Sequence, residues 1–232
     1  MQSLSERKAS TAKLLIGHKG RAFDVRFNSA QQQVLSASED GTCKLWNYST
    51  GKCSKTIIHN KEAEVLRAAF LSNNADLCTT GSDGNAVIWK NNIDSKLEKY
   101  HTLNHGEEAQ IYVCETVDSD LLIAADDFMV FWDLHSLEHK RVYTFRESGS
   151  ANDNQGPSFG GHRNPDNQVF VFDAKLDPSS ASIVGVALSD STTRLLDTRS
   201  ASNQAFASVS LARLFAGTSE RIGHATSVCM YI

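Results

Sequence analysis

The chain has 232 residues, of which 41% are hydrophobic and 22% are charged, and its formal net charge is -4. This length and apolar content suffice for a soluble domain with a sizeable core. The pI near 6.1 argues against a dedicated nucleic-acid-binding protein, and no apolar run approaches the roughly 18 residues that a membrane span needs. We therefore expect neither direct binding to nucleic acid nor insertion into a membrane.

The cysteines indicate the cellular compartment. They are odd in number and form no Cys-x-x-Cys pair: Cys43, Cys53, Cys78, Cys114 and Cys229. This pattern favours reduced thiols over a disulfide framework. Residues 1–12 are polar and contain no apolar signal-peptide core. Together these features predict a protein of the cytoplasm, the nucleus or both.

In chain order, a polar lead-in (1–12) is followed by a brief predicted strand at 13–16 and then by a clear hairpin pattern at 34–47. That stretch, V-L-S-A-S-E-D-G-T-C-K-L-W-N, places an Asp-Gly turn between two strand-like runs. The pattern returns at 77–90 as L-C-T-T-G-S-D-G-N-A-V-I-W-K. It returns again at 121–133 as L-L-I-A-A-D-D-F-M-V-F-W-D, with Phe128 in the glycine position.

The tryptophans that end these hairpins are evenly spaced, with 43 residues from Trp46 to Trp89 and 43 from Trp89 to Trp132. A period of about 40 to 45 residues ending in Trp-Asp resembles the repeat of the WD-repeat β-propeller family. The resemblance implies an all-β fold, a propeller of four-stranded antiparallel blades. About four to five blades fit this chain, with an open or incomplete ring as one outcome.

The predicted propeller extends over residues 13–232. Its repeats lie near 17–57, 59–103 and 105–145, followed by an irregular region at 146–216 and a partial repeat at 223–232. In the irregular region we predict one hairpin at 166–173, with Phe172 in the tryptophan position, and another at 187–197, with Leu196 there. Only 24 residues separate Phe172 from Leu196, so we expect a blade that is incomplete or has lost part of its sequence.

The family resemblance also implies that the strand at 13–16 completes the last blade of the ring. The nearest partner that the sequence offers for it is a short predicted strand at 227–232. Two strands alone are marginally stable, and unpaired strand edges favour self-association. We therefore expect an incomplete propeller that forms oligomers when it is expressed by itself.

The resemblance assigns a structural role to the repeated polar residues. In the family, a histidine, a small hydroxyl residue, the turn aspartate and the tryptophan form a hydrogen-bonded chain within each blade. The corresponding residues are His18, Ser36, Asp40 and Trp46 in the first repeat, His59, Asp83 and Trp89 with Thr79 or Thr80 in the second, and His105 and Trp132 in the third. In the third repeat Ala124 and Ala125 replace the hydroxyl residue, which predicts a partial network.

Motifs for chemistry are missing from the sequence. It contains no Walker loop, no G-x-S-x-G elbow and no spaced Cys/His metal set. We therefore predict a non-enzymatic protein without a catalytic residue, a metal or a cofactor, acting as a scaffold for protein–protein interaction. An RNA-processing or ribosome-assembly scaffold is an alternative.

A second alternative follows from the stretch L-D-T-R at 196–199. It resembles the W-D-x-R box through which some WD-repeat proteins dock, as substrate receptors, on the adaptor of a cullin–RING ubiquitin ligase. In that family the arginine reaches the adaptor, and the corresponding residue here is Arg199. A surface arginine at a strand end is the simpler interpretation.

Carboxylates in the turns that enter the second and third repeats suggest a binding rim. Family geometry would place them near the central channel: Glu62, Glu64, Glu107 and Glu108. Such a cluster would favour a basic peptide by charge complementarity. Lys19, Arg21 and Lys61 dilute this field, so a solvated loop face is the alternative.

Overall fold

The computed structural model describes residues 13–28, 31–92, 94, 96–107, 109–145, 169–177, 179–180, 182–199 and 207–210. These residues form four antiparallel sheets of four strands each, and none of them lies in an α-helix. The four sheets are the blades of a four-bladed β-propeller. The fold implied by the repeat is therefore confirmed.

The strands of each blade are hydrogen-bonded to one another in chain order. Blade one contains β1 (Ala22–Asn28), β2 (Gln33–Ser38), β3 (Thr42–Asn47) and β4 (Cys53–Ile58). Blade two contains β5 (Val65–Phe70), β6 (Leu77–Gly81), β7 (Asn85–Asn91) and β8 (Leu97–Asn104). Blade three contains β9 (Ile111–Val117), β10 (Asp120–Ala125), β11 (Phe128–Asp133) and β12 (His139–Thr144). Blade four contains β13 (Val171–Leu176), β14 (Ile183–Leu188), β15 (Thr192–Asp197) and β16 (Ala207–Ser210).

One register recurs between the second and third strands of all blades. The last large apolar residue of the third strand lies opposite an apolar residue near the start of the second strand, in the pairs Val34–Trp46, Leu77–Trp89, Leu121–Trp132 and Val184–Leu196. Leu196 therefore occupies the tryptophan position of blade four, as the sequence predicts.

The prediction of a hairpin at 166–173 is wrong, and so is the incomplete blade inferred from it. Phe172 lies in β13, the first strand of blade four, and not in a third strand. Alternating apolar residues before an aspartate are compatible with a first strand or a third strand of a blade, so this pattern alone could not distinguish the two positions. Leu196 stands 64 residues after Trp132, and the extra length falls between Phe145 and Val169. Blade four consequently has all four strands.

Residues 13–16 do not form the predicted strand. The outer strand of blade four is β16, which is hydrogen-bonded to β15, so the N-terminal segment does not complete that blade. It passes blade one instead, where the Lys13 amine donates to the Tyr48 carbonyl over 3.2 Å and Gly17 lies against the Trp46 ring. The strand predicted at 227–232 lies outside the described residues.

Apolar cores lie between successive blades. The core between blades one and two includes Leu35, Leu45, Ile57, Leu77, Val87 and Trp89. The next includes Ile88, Leu103, Ile111, Leu121, Ile123 and Phe128, and the third includes Met129, Phe131, Tyr143, Val171, Val186 and Leu188. Each large side chain buried in this way contributes about 1.5–3 kcal/mol to folding.

Blade one carries exposed apolar side chains on the side away from blade two. Val25 and Phe27 are 57% and 74% exposed. Their register equivalents in blade two are Ala68 and Phe70, which pack against blade one. Within the described residues, no strand of blade four packs on blade one to the extent that the other neighbouring blades pack. This side of β1 is therefore open to a partner.

We expect the isolated chain to self-associate through this side of β1, because an open sheet face with large apolar residues favours contact between copies. Analytical ultracentrifugation should show oligomers whose fraction rises with concentration. Val25→Glu with Phe27→Glu should shift the chain to monomer, whereas Tyr100→Glu, at an exposed residue of blade two, should not. A wild-type chain that stays a sharp monomer and unfolds in one cooperative transition would contradict this prediction.

Candidate functional site

The structure brings together the four polar-network residues of blade one. The Trp46 indole donates to Ser36 Oγ over 2.8 Å, and Ser36 Oγ lies 2.7 Å from His18 Nε2. His18 Nδ1 lies 3.0 Å from Asp40 Oδ2, and the Thr42 hydroxyl also donates to Asp40. If His18 donates to Asp40 through Nδ1, Ser36 can donate to His18 Nε2. Each donor from the Trp46 indole to the His18 ring then has an acceptor.

Asp40 stays ionised in this network. Burial by itself raises its pKa, but hydrogen bonds from Thr42, from the Lys19 backbone N–H and from His18 outweigh burial and hold the pKa well below its usual range. The carboxylate is thus an acceptor for three neighbours. Because it fixes the turn and the histidine ring together, its contribution is to the geometry of the blade.

Blade two has the same hydrogen-bonded network, but its histidine ring is flipped, so that Nδ1 faces the hydroxyl and Nε2 faces the aspartate. The Trp89 indole donates to Thr79 Oγ1 over 2.8 Å, which lies 2.8 Å from His59 Nδ1, while His59 Nε2 lies 3.2 Å from Asp83. Of the two hydroxyl candidates, Thr79 is the network residue, since Thr80 donates to the Ile111 carbonyl of blade three. Burial raises the pKa of Asp83, but bonds from His59, Asn60 and Asn85 bring it well below the usual range.

Blade three has a shorter network. The Trp132 indole donates directly to His105 Nε2 over 3.0 Å. The register places Ile123, opposite Val130, where Ser36 and Thr79 stand in the other blades, so the substitution is not at Ala124 or Ala125. An isoleucine cannot bridge indole and imidazole, which explains the direct bond.

The turn of blade three also differs from the prediction for Phe128. The hairpin has one residue fewer between its paired positions, so Phe128 begins the third strand and does not take the glycine position. Its buried ring stacks on His105 with centroids 6.1 Å apart. Gly41 and Gly84 are needed in the longer turns, where φ is +74° and +70° and a Cβ would meet a backbone oxygen.

Burial of His105 makes it a pH-sensitive element of the fold. Burial lowers its pKa to about 4, against the opposing effect of hydrogen bonds with the backbone of Gly84 and Leu103. The neutral ring is the form that accepts the Trp132 indole bond. Protonation in the unfolded chain, near pH 6.5, therefore competes with folding.

We expect stability to fall by about 2 kcal/mol between pH 7 and pH 4.5 through His105. Its folded pKa is depressed, so its contribution is complete above the unfolded pKa and is lost as the pH falls towards 4. Urea unfolding at several pH values should show this slope in wild type and in His135→Gln, at an exposed histidine. His105→Gln should remove most of it, and an unchanged slope in that variant would contradict the assignment.

Blade four contains an ion pair at its turn aspartate that the sequence analysis missed. Asp190 accepts bonds from the Thr192 backbone and hydroxyl, as Asp40 does from Thr42. The Arg194 guanidinium lies 2.7 Å from Asp190 and faces the Phe145 ring at 6.0 Å. The matching Asp-x-Thr spacing in the two turns was the available signal.

A second feature that sequence analysis missed is an ion-pair network that joins the first strands of three blades, which we name the central network. Arg26 of β1 lies 2.8 Å from Glu115 of β9, and Glu115 also accepts from Lys175 of β13. Asp24 pairs with Arg26 at 3.3 Å and accepts the Ala68 backbone N–H of blade two. Burial alone would lower the pKa of Arg26, but Glu115 and Asp24 raise it above its usual value.

Arg199 of the L-D-T-R stretch is on the surface. Its side chain is 72% exposed and folds back on Asp197, with Nε at 3.0 Å and a terminal nitrogen at 2.8 Å from the carboxylate. This bond lowers the pKa of Asp197 to about 2. The guanidinium is thus accessible but already has a carboxylate partner.

The predicted rim carboxylates differ in their exposure to solvent. Glu62 and Glu107 are exposed, Glu64 is half-buried, and Glu108 lies outside the described residues. Glu64 helps to raise the pKa values of Arg21 and Tyr112, after larger effects of Glu39 on Arg21 and of burial on Tyr112. Cationic and anionic groups therefore share this face.

The described cysteines are free thiols, with Cys43, Cys78 and Cys114 buried and Cys53 exposed, and Cys229 lies beyond the described part. Over the described ranges, no group of three or more His, Cys, Asp or Glu side chains could hold a metal ion. The same ranges contain no helix with the length and apolar character of a membrane span.

Similarity to known proteins agrees with the repeat. The family model "WD domain, G-beta repeat" matches residues 9–47 and 51–90. A WD repeat-containing protein 89 homolog of Dictyostelium discoideum is 27% identical over 127 residues, which are 54% of this chain and 34% of that protein. A serine-threonine kinase receptor-associated protein of the same organism is 42% identical over 67 residues, 29% of this chain and 22% of that protein.

A guanine nucleotide-binding protein subunit beta of Solanum tuberosum is 24% identical over 199 residues, which are 82% of this chain and 48% of that protein. The chain thus spans less than half the length of each of these relatives. The first matched repeat covers β1 to β3 and the second covers β4 to β7, and the same register recurs in blades three and four. By repeat, fold and similarity, this chain is a member of the WD-repeat family.

Proposed function

We propose that this chain is a non-enzymatic scaffold for protein–protein interaction that works in the cytoplasm, the nucleus or both. The observation that carries the proposal is the use of its histidines and turn aspartates. His18 with Asp40 and His59 with Asp83 are held in networks that end on a tryptophan indole. These groups hold the blades in register, which favours a binding platform over a catalytic cleft.

The names of the relatives support a role in assembly. One is named for association with a receptor kinase, and another is a subunit of a guanine nucleotide-binding protein. Both names describe proteins that act through other proteins. We extend that class of function, and no particular partner, to this chain.

An affinity pull-down followed by mass spectrometry tests the scaffold. The tagged chain should recover a reproducible set of proteins from a cell extract, and the tag alone should not. The recovered set should be lost when the tagged chain is heat-denatured before it is mixed with the extract. Recovery of the same proteins by the tag alone, or of none above background, would contradict the proposal.

The carboxylate rim is the surface that we propose for a basic peptide. Glu62 and Glu107 are exposed there, and Arg21 is held by Glu39 in a two-point bond, with distances of 3.1 and 2.9 Å, that offsets its charge. Charge complementarity would then steer a basic segment to the rim. Glu62→Lys with Glu107→Lys should weaken that binding, and unchanged binding would contradict it.

The ubiquitin-ligase receptor is a second candidate, because Arg199 is exposed as that function requires. We expect Arg199→Ala to change the free energy of unfolding by less than about 0.5 kcal/mol while abolishing recovery of a ligase adaptor. Arg21→Ala is a matched control, since that side chain is also 72% exposed and bound to a nearby carboxylate. Adaptor recovery that is unaffected by Arg199→Ala, or never observed with wild type, would contradict the receptor function.

The RNA-processing or ribosome-assembly scaffold stays a prediction. The pull-down distinguishes it, because treatment of the extract with ribonuclease would then remove the partners.

A further inference from the structure

The first strand of every blade contains a β-bulge at the same place. In each strand one extra residue stands between two residues that pair with consecutive positions of the second strand. These extra residues, which we name the bulge set, are Phe23, Leu66, Tyr112 and Phe172. A bulge bends its strand and redirects the side chain of the extra residue. Because it recurs in all four blades, it is a regular feature of this fold.

The bulge set lies around the channel and not between blades. Its members each stand three residues before an inner-strand residue, in the order Arg26, Ala69, Glu115 and Lys175. Arg26, Glu115 and Lys175 meet in the central network. Since a strand rises about 3.3 Å per residue, the bulge set lies about 10 Å from that network along the same strands. Among the described residues, no member of the set belongs to the three cores between blades.

Contacts between blades show that the bulges lie at the same end of the channel. Near the end of β6, the Thr80 hydroxyl donates to the Ile111 carbonyl at the start of β9 over 3.2 Å. After β10, the Asp126 carbonyl accepts from the Val171 N–H at the start of β13 over 2.6 Å. A backbone N–H of β5 likewise donates to β1 next to its bulge. The first strands therefore run in the same direction, and their bulges surround one opening, which we call the mouth.

The mouth is lined by apolar side chains, most of them aromatic. Leu66 is 5% exposed although it lies outside the described cores between blades, so it is buried on the channel side. Phe23, Tyr112 and Phe172 are half-buried and stay partly accessible. The face of an aromatic ring is electrostatically negative and attracts cations. The Arg21 guanidinium is an internal example, since it lies 5.6 Å from the centroid of the Phe23 ring.

One carboxylate at the mouth has no bonded partner. After the larger effects of Glu39 and of burial, the charge of Glu64 raises the pKa values of Arg21 in blade one and of Tyr112 in blade three. Glu64 therefore lies between these two blades. Within the described ranges, its half-buried carboxylate accepts no hydrogen bond and forms no ion pair. Such a group favours a positively charged donor.

The cations near the mouth are already bonded. Arg21 is held at two points by a carboxylate of its own blade, and Arg67 donates to a backbone carbonyl of its own strand over 2.9 Å. Apart from burial, the charges that act on the pKa of Tyr112 are Asp126 and Glu64, which raise it, and Arg67, which lowers it. Carboxylates thus outnumber cations around this ring, and Glu64 is the acceptor left open.

We propose that the mouth binds an arginine side chain from a basic segment of a partner protein, with the guanidinium paired to Glu64 and its flat face against Phe23 and Tyr112. Arginine suits this seat better than lysine, because a planar guanidinium can pair with a carboxylate through two N–H groups while it stacks on a ring. The proposal rests on the scaffold function and on the carboxylate rim, and it names the side chain that the mouth selects.

Synthetic peptides test the arginine seat. The probe is a fluorescein-labelled nine-residue peptide with one central arginine, two lysines and otherwise glycine and serine, and fluorescence anisotropy measures its binding to the full chain. Two matched probes carry citrulline, which removes the charge, or lysine, which removes the planar group, at the central position. We expect saturable binding of the arginine probe and binding weaker by about fivefold or more for the other two.

Variants of the chain identify the groups that form the seat. Glu64→Gln should weaken the arginine probe about tenfold, because it removes the charge of the acceptor and keeps its shape. Glu98→Gln, at an exposed carboxylate on the outer strand β8, should change binding less than about twofold. Phe23→Leu with Tyr112→Leu keeps the mouth apolar and should reduce the preference for arginine over lysine to less than about twofold. Circular dichroism and the urea midpoint check that each variant is folded.

The proposal would be overturned by equal binding of the arginine and citrulline probes, by unchanged binding to Glu64→Gln, or by the absence of saturable binding. If Glu62→Lys with Glu107→Lys weakens the arginine and lysine probes alike while Glu64→Gln does not, the rim stands and the seat is wrong. If no probe binds but wild type recovers partners in the pull-down, the seat and the rim fail and the scaffold stands. If wild type recovers no partner, the scaffold itself fails.

Discussion

Replacing Trp46 with alanine should lower the free energy of unfolding by about 3–5 kcal/mol, as expected for truncating a large buried aromatic side chain. The side chain is 1% exposed and lies against Gly17 and the ring of His18. Its removal would leave a cavity and would also deprive Ser36 of the indole donor. Urea unfolding followed by circular dichroism at pH 7 measures the loss.

Two variants separate the causes of that loss. Trp46→Phe keeps an aromatic ring but removes the indole donor, so it should cost less than the alanine variant. Tyr48→Ala truncates an aromatic residue that is 43% exposed and should have little effect. A cost below about 1 kcal/mol for Trp46→Ala would remove the structural role of the blade-one network.

The network of blade one could be predicted because its residues stand at fixed distances along one repeat. A hairpin with an Asp-Gly turn sets the register, and the register places Ser36 and Trp46 on the same side of the sheet. The histidine comes from the segment before β1 and completes the set. These relations are short in sequence, and Ser36, Asp40 and Trp46 recur 43 residues later as Thr79, Asp83 and Trp89.

Errors arose where one residue or one segment departs from that period. The turn of blade three lacks one residue, which moves Phe128 from the predicted glycine position to the start of the third strand. The hydroxyl position was assigned to Ala124 and Ala125, although Ile123 stands two residues after Leu121, as Ser36 does after Val34. The long segment before Val169 displaced the count for blade four and placed Phe172 in the wrong strand. Alternation of apolar residues specifies a strand but not its order in the sheet.

The central network could not be predicted, because its members are far apart in sequence and share no motif. Arg26, Glu115 and Lys175 come from three blades and meet because their strands are the first of each blade. Any inner-strand charge would have been an equal candidate from sequence. The pairing depends on how the blades are arranged, which only the structure supplies.

Glu115→Ala should lower the free energy of unfolding by about 3 kcal/mol, because it leaves two cations of the central network facing each other without their shared carboxylate. The Arg26, Lys175 and Glu115 side chains are only 29%, 29% and 21% exposed, so water compensates incompletely. The loss should appear in urea unfolding at pH 7. Glu98→Ala, at an exposed surface pair with Lys96, should cost less than about 0.5 kcal/mol.

A double-mutant cycle identifies the cause of the Glu115 effect. If Glu115 acts through Arg26, Arg26→Met combined with Glu115→Gln should be less destabilising than the sum of the two single changes. The difference should exceed about 1 kcal/mol, since these residues are in direct contact. Additive effects would show that Glu115 does not act through this ion pair. A Glu115→Ala variant as stable as wild type would show that the central network does not hold the inner strands together.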